Sequence, residues 1–122
     1  MQFDKDLNSP HAQLFLDVRQ WILRQIGEDA QEKYSDNITS FVNPLGGFCY
    51  LKTTAEGVHI GWFRGVNFED SYGVLGGKGK TIRGQTLTTL TIESQEIITN
   101  FIEQTRLFLI EHKEQLRLKK GT

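Results

Sequence analysis

Residues 58–83 read VHIGWFRGVNFEDSYGVLGGKGKTIR, and the fold turns on how this stretch is parsed. Val58, Ile60 and Trp62 alternate with His59, Gly61 and Phe63, the two-residue period of a half-buried strand. A long glycine-containing connection follows, in which Val74 and Leu75 are the expected apolar anchors, and it ends on Lys78, Lys80 and Arg83. Residues 81–90 (TIRGQTLTTL) are rich in β-branched side chains and predict the last strand. No helical period lies between the central strands, which argues against a parallel, doubly wound sheet.

Upstream, residues 48–53 predict a strand that returns through Ala55-Glu56-Gly57, so it should be the antiparallel neighbour of the Val58 strand. Residues 38–42 predict another, ended by Asn43, Pro44 and the Gly46-Gly47 pair. Residues 28–37 are polar and read as a connection with room for one helical turn, and residues 1–8 as a loose lead-in. Between them Leu14, Val18, Trp21, Ile22 and Ile26 recur at helical spacing, widened by Phe15 and Leu23. Ser9-Pro10 is the expected start of this helix and Gly27 its stop, with Trp21 in the core. Downstream, Ser94 is the expected cap of a second helix whose apolar stripe is Ile97, Ile98, Phe101, Ile102, Thr105, Leu109 and Leu116. Lys113, Arg117, Lys119 and Lys120 then form its solvated, cationic end. The expected architecture is α+β: one domain over residues 1–122, an antiparallel β-sheet flanked by N-terminal and C-terminal helices.

Composition narrows the function. A chain of 122 residues buries roughly two thirds of its unfolded surface and needs no metal or disulfide staple. Cys49 is the only cysteine, which excludes an intrachain disulfide and favours the cytoplasm. No apolar run approaches the roughly 20 residues that span a bilayer, and the N-terminus lacks a signal-peptide pattern, so no membrane partner is expected. A formal net charge of -1 argues against nucleic acid as a partner of the chain as a whole.

Candidate chemistry is sparse. Gly79-Lys80-Thr81 looks like the tail of a phosphate-binding Walker loop, but the required upstream glycine position is Val74, and a strand follows where that motif opens a helix. Nucleotide hydrolysis is therefore rejected. His11, His59 and His112 lie in separate elements without ligand spacing, so no metal site or cofactor is expected. Glu69-Asp70 and the set Glu28, Asp29 and Glu32 read as solvated charges. Ser71 and Tyr72 have no base placed by sequence to activate them, and catalysis is not expected. What remains is a cationic surface of Lys78, Lys80 and Arg83, with Trp62 and Arg64 at the other end of the connection. Such a surface suits a small anionic ligand or an acidic protein segment.

The run His59-Ile60-Gly61-Trp62-Phe63, then Gly65, then Leu75-Gly76-Gly77-Lys78-Gly79-Lys80-Thr81-Ile82-Arg83, resembles the YdhG-like domains. These are small bacterial domains of unknown function, grouped loosely with frataxin-like iron chaperones. The resemblance implies an α+β fold whose signature is the glycine-lysine loop, with Gly77, Gly79, Lys80 and Arg83 as the matching positions. Members often carry a second basic residue after the arginine, where this chain has Gly84. The functional expectation is a non-enzymatic binding module acting through Trp62, Arg64, Lys78, Lys80 and Arg83. A frataxin-like iron chaperone is the alternative implied by the resemblance. A homodimer packed through the Trp62 face of the sheet is a third possibility.

Overall fold

A computed structural model describes residues 1–120. Helices α1 (Gln2–Leu7) and α2 (Ala12–Ile26) precede strands β1 (Gln31–Tyr34), β2 (Thr39–Asn43), β3 (Gly46–Thr53), β4 (Val58–Trp62) and β5 (Arg83–Leu87). Helix α3 (Ile92–Lys120) closes the chain. The strands pair antiparallel in the order β1-β2-β3-β4-β5, so sequence neighbours are sheet neighbours throughout. All three helices contact β3 at the centre of the sheet and lie on one face. The α+β class and the antiparallel sheet between terminal helices are as the sequence predicts.

Alternation decides which face is covered. Cys49, Leu51, Val58, Ile60 and Trp62 are fully buried, and Phe41 and Leu87 continue the layer onto neighbouring strands. A β-bulge between Phe41 and Val42 of β2 and their β3 partners adds Phe48 to that buried layer. Phe15, Val18, Ile22 and Ile26 of α2 meet it, as do Ile97, Ile98, Phe101, Ile102 and Leu109 of α3. Trp62 sits where the layers join: its indole N–H donates to Gln85 Oε1 at 2.8 Å, and its ring meets Phe68 and Phe101 edge-on. Arg106 of α3 donates to the carbonyls of Gln25 and Ile26, setting a cation at the C-terminal end of α2.

Several elements differ from the sequence reading. The lead-in is helix α1, held because the buried Asp6 carboxylate accepts from the Thr53 amide (2.9 Å), the Thr53 hydroxyl (2.7 Å) and Gln2 (2.8 Å). Helix α2 starts at Ala12, because Ser9 Oγ accepts from the His11 amide in a separate turn before it. The polar connection contains β1, an edge strand that tolerates polarity because one side of it faces no partner. Its Glu32 accepts from Arg19 of α2 at 2.7 Å and from the Tyr34 hydroxyl at 2.6 Å. The Glu32 hydrogen bond raises the Arg19 guanidinium above its ordinary range and does the same to the Tyr34 phenol. Glu32 is thus a structural carboxylate, not a solvated one. Helix α3 begins at Ile92: Thr91 and Ser94 cap it reciprocally, each hydroxyl accepting the other's amide. Leu116 lies on the projecting end of α3, where every described residue beyond Leu109 is exposed.

Trp62→Phe should lower stability by roughly 2–4 kcal/mol, since it removes indole volume and leaves the Gln85 amide buried without a partner. Adding Gln85→Leu should recover part of that loss. Urea denaturation midpoints of the two variants against the parent check both statements.

Candidate functional site

The connection between β4 and β5 is long, yet it is tied down along its length. Gly65 opens a single 3-10 turn, Gly65–Asn67, and lies against the backbone of Arg83; a β-carbon there would come within 2.8 Å of the Arg83 nitrogen. The Val66 amide donates to the Thr81 carbonyl at 3.0 Å. Phe68 stacks on Phe101 of α3 with centroids 4.9 Å apart. The Gln104 side chain accepts from the Glu69 amide at 2.9 Å and donates to its carbonyl at 3.0 Å, as a neighbouring strand would. Asp70 accepts from the amides of Val74 and Leu75. Gly76 and Gly84 exchange a pair of 2.9 Å bonds that extend the sheet past the edge of β5.

Val74 and Leu75 pack against the core as the sequence pointed to, and Phe68 and Asp70 are anchors added to them. Phe68 was hidden inside a polar run. Asp70 reads as a solvated charge until its two amide partners are seen.

Beyond Gly76 the chain turns at Gly77, whose φ of 126° is strained for any residue with a side chain. Residues 77–82 form the tip. Lys78 and Lys80 are exposed there. Arg83 Nη1 donates to the Ile82 carbonyl at 2.9 Å and to the Gly79 carbonyl, so the guanidinium braces the tip from within. Arg64 is engaged elsewhere, with its guanidinium 5.3 Å from the centre of the Phe108 ring on α3. Trp62 is fully buried and belongs to the core, which corrects its assignment to a ligand surface. The structure thus brings Lys78, Lys80 and Arg83 to one tip, while Trp62 and Arg64 have other partners. Self-association through the Trp62 face is also corrected, because the helices cover that face.

A groove unmarked in the sequence runs between α2 and α3. One part, about 470 Å³, is lined by Trp21, Tyr72, Ile92, Glu96, Thr99 and Asn100. An adjoining part of about 330 Å³ is lined by Asp17, Gln20 and Arg24, with Trp21 and Gln95 shared between the two. Trp21 is half-buried in the groove wall, and its indole N–H is 3.2 Å from both the Gln95 carbonyl and the Thr99 hydroxyl. Iron delivery would call for clustered carboxylates. Among the described residues, no group of three or more His, Cys, Asp or Glu side chains is placed to hold a metal ion. No helix among them is long and apolar enough to cross a membrane.

Burial pushes the Cys49 thiol up, so a maleimide should label it only after unfolding; rapid labelling of the native protein would contradict its position. Asp70→Ala should leave the sheet intact while the Val74 and Leu75 amides lose hydrogen-exchange protection by about tenfold or more. Compared with protein-family models, curated proteins and solved structures, the chain matches none of them.

Proposed function

We propose that the chain is a cytoplasmic, non-enzymatic, YdhG-like binding module whose glycine-lysine tip takes an anionic group carried by a small molecule or a protein segment. The observation supporting this reading is the contrast between the frame and the tip. Asp70, Gln104, Phe68 and the Gly76–Gly84 pair fix both ends of the connection, and Arg83 braces the turn. Lys78 and Lys80 nevertheless form no ion pair among the described residues. A fixed backbone carrying two uncompensated ammonium groups reduces the ordering that an anion must impose on binding. The glycines also leave room for an anion to approach main-chain N–H groups, as in a backbone nest.

Inorganic tripolyphosphate is the probe of choice, because it offers dense charge without a ring or an apolar group. Calorimetry at low salt should show saturable binding to the parent protein. The double variant Lys78→Glu with Lys80→Glu should bind about tenfold more weakly or worse. Equal affinities, or no saturable heat with the parent, would overturn the assignment.

A further inference from the structure

The sheet has a second face, and no helix covers it. Strand register identifies its occupants. One row crosses Lys33, Ser40, Tyr50, Gly61 and Gly84; the next crosses Lys52, His59 and Thr86. Gln31, Val42 and Gly47 form a third row, adjoined by Phe63 just beyond β4.

Three aromatic rings lie on this face, each in the space that a neighbouring glycine leaves free. A β-carbon on Gly61 would come within 2.0 Å of the Tyr50 ring, and one on Gly84 within 2.5 Å of the His59 ring. One on Gly47 would come within 2.9 Å of the Phe63 ring. Tyr50 is central, with its centroid 5.8 Å from that of His59 and 6.0 Å from that of Phe63. The three rings are half-buried, so each keeps part of its surface toward solvent. Covering strand glycines with aromatic rings stabilises a sheet without further purpose. That explanation does not account for the charge.

The chain contains 15 acidic and 14 basic side chains, yet none of the strand positions on this face is Asp or Glu. Lys33 and Lys52 are its charged groups, and Lys52 pairs directly across from His59. Partial burial, and then the Lys52 charge, hold the His59 imidazole below its ordinary value. A near-neutral protein has thus separated its charges so that the aromatic face carries cations alone.

We propose that this face is a platform for single-stranded nucleic acid, on which Tyr50, His59 and Phe63 stack bases while Lys33 and Lys52 meet phosphates. An apolar protein partner would gain nothing from the lysines, and an acidic peptide would gain little from a row of rings. A mononucleotide would engage one ring; three rings about 6 Å apart suit two or three successive bases. Stacking accepts any base, so recognition is tolerant of sequence. This contradicts the expectation drawn from net charge, which averages over surfaces of opposite sign. The inference is independent of the lysine tip at residues 77–82.

Fluorescence anisotropy with a labelled oligothymidylate of roughly ten nucleotides, at about 50 mM salt, tests it. The parent should bind saturably, with log K falling against log salt at a slope of about -1.4, as expected for two phosphate contacts on a single strand. Lys33→Glu with Lys52→Glu should weaken binding about tenfold or more. Tyr50→Leu keeps an aliphatic cover over Gly61, and it should weaken binding about fivefold or more under conditions where its urea curve shows the variant fully folded. Lys78→Glu with Lys80→Glu should weaken binding less than the face lysine variant does, and the difference from the parent should vanish as salt is raised. The proposal is overturned by no saturable binding to the parent, by duplex of equal length binding as tightly, or by thymidine monophosphate doing so. It is also overturned if the tip variant abolishes binding while the face variants do not.

Discussion

The hydrogen bond from the Trp62 indole to Gln85, made inside a layer of aromatic rings, is where four parts of the molecule meet. Trp62 belongs to β4 and Gln85 to β5, Phe68 enters from the long connection, and Phe101 closes the cluster from α3. A buried amide without a partner is costly, so Gln85 is acceptable only because the indole N–H satisfies it. The bond therefore selects the register of β4 against β5, and with it the point where Gly76 meets Gly84. A slip of β5 by one residue would turn Gln85 to the other face of the sheet and leave the Trp62 indole N–H without its acceptor.

From that constraint the shape of the connection follows. It leaves β4 next to Trp62, returns Phe68 to the same cluster, and re-enters β5 at Arg83, the residue opposite Trp62. Both ends being held within one strand spacing, the intervening residues form a compact, hydrogen-bonded excursion in place of a floppy loop. Asp70 and Gln104 supply the polar half of this arrangement and Phe68 the apolar half.

Much of the architecture was legible because burial leaves a period. Val58, Ile60 and Trp62 alternate as a strand must, and Ile97, Ile98, Phe101, Ile102 and Thr105 recur as a helix must. What was illegible lacks a period. Strand β1 is QEKY, held by its ladder to β2 and by an Arg19–Glu32 pair that no local rule reveals. Helix α1 depends on Asp6 reaching Thr53, 47 positions away. Of the candidate site, the cluster of Lys78, Lys80 and Arg83 was visible as composition. The burial of Trp62, the Arg64–Phe108 contact and the work of Arg83 on its own loop needed coordinates. The aromatic row on the outer face was overlooked because Tyr50, His59 and Phe63 sit on one surface only after register is known.

The strictly sequential strand order also sets a timetable for maturation. Strands β1 to β4 can pair as soon as each follows its predecessor, since every closure among them is local. The excursion after β4 is different, because Phe68 and the main chain of Glu69 find their partners on α3, which follows the whole sheet in the chain. During synthesis the sheet ladder can form before the Phe68–Glu69 stretch of the connection has its partners. Docking of α3 is what fixes that stretch, so a chain lacking α3 would leave Phe68 and the main chain of Glu69 without their partners.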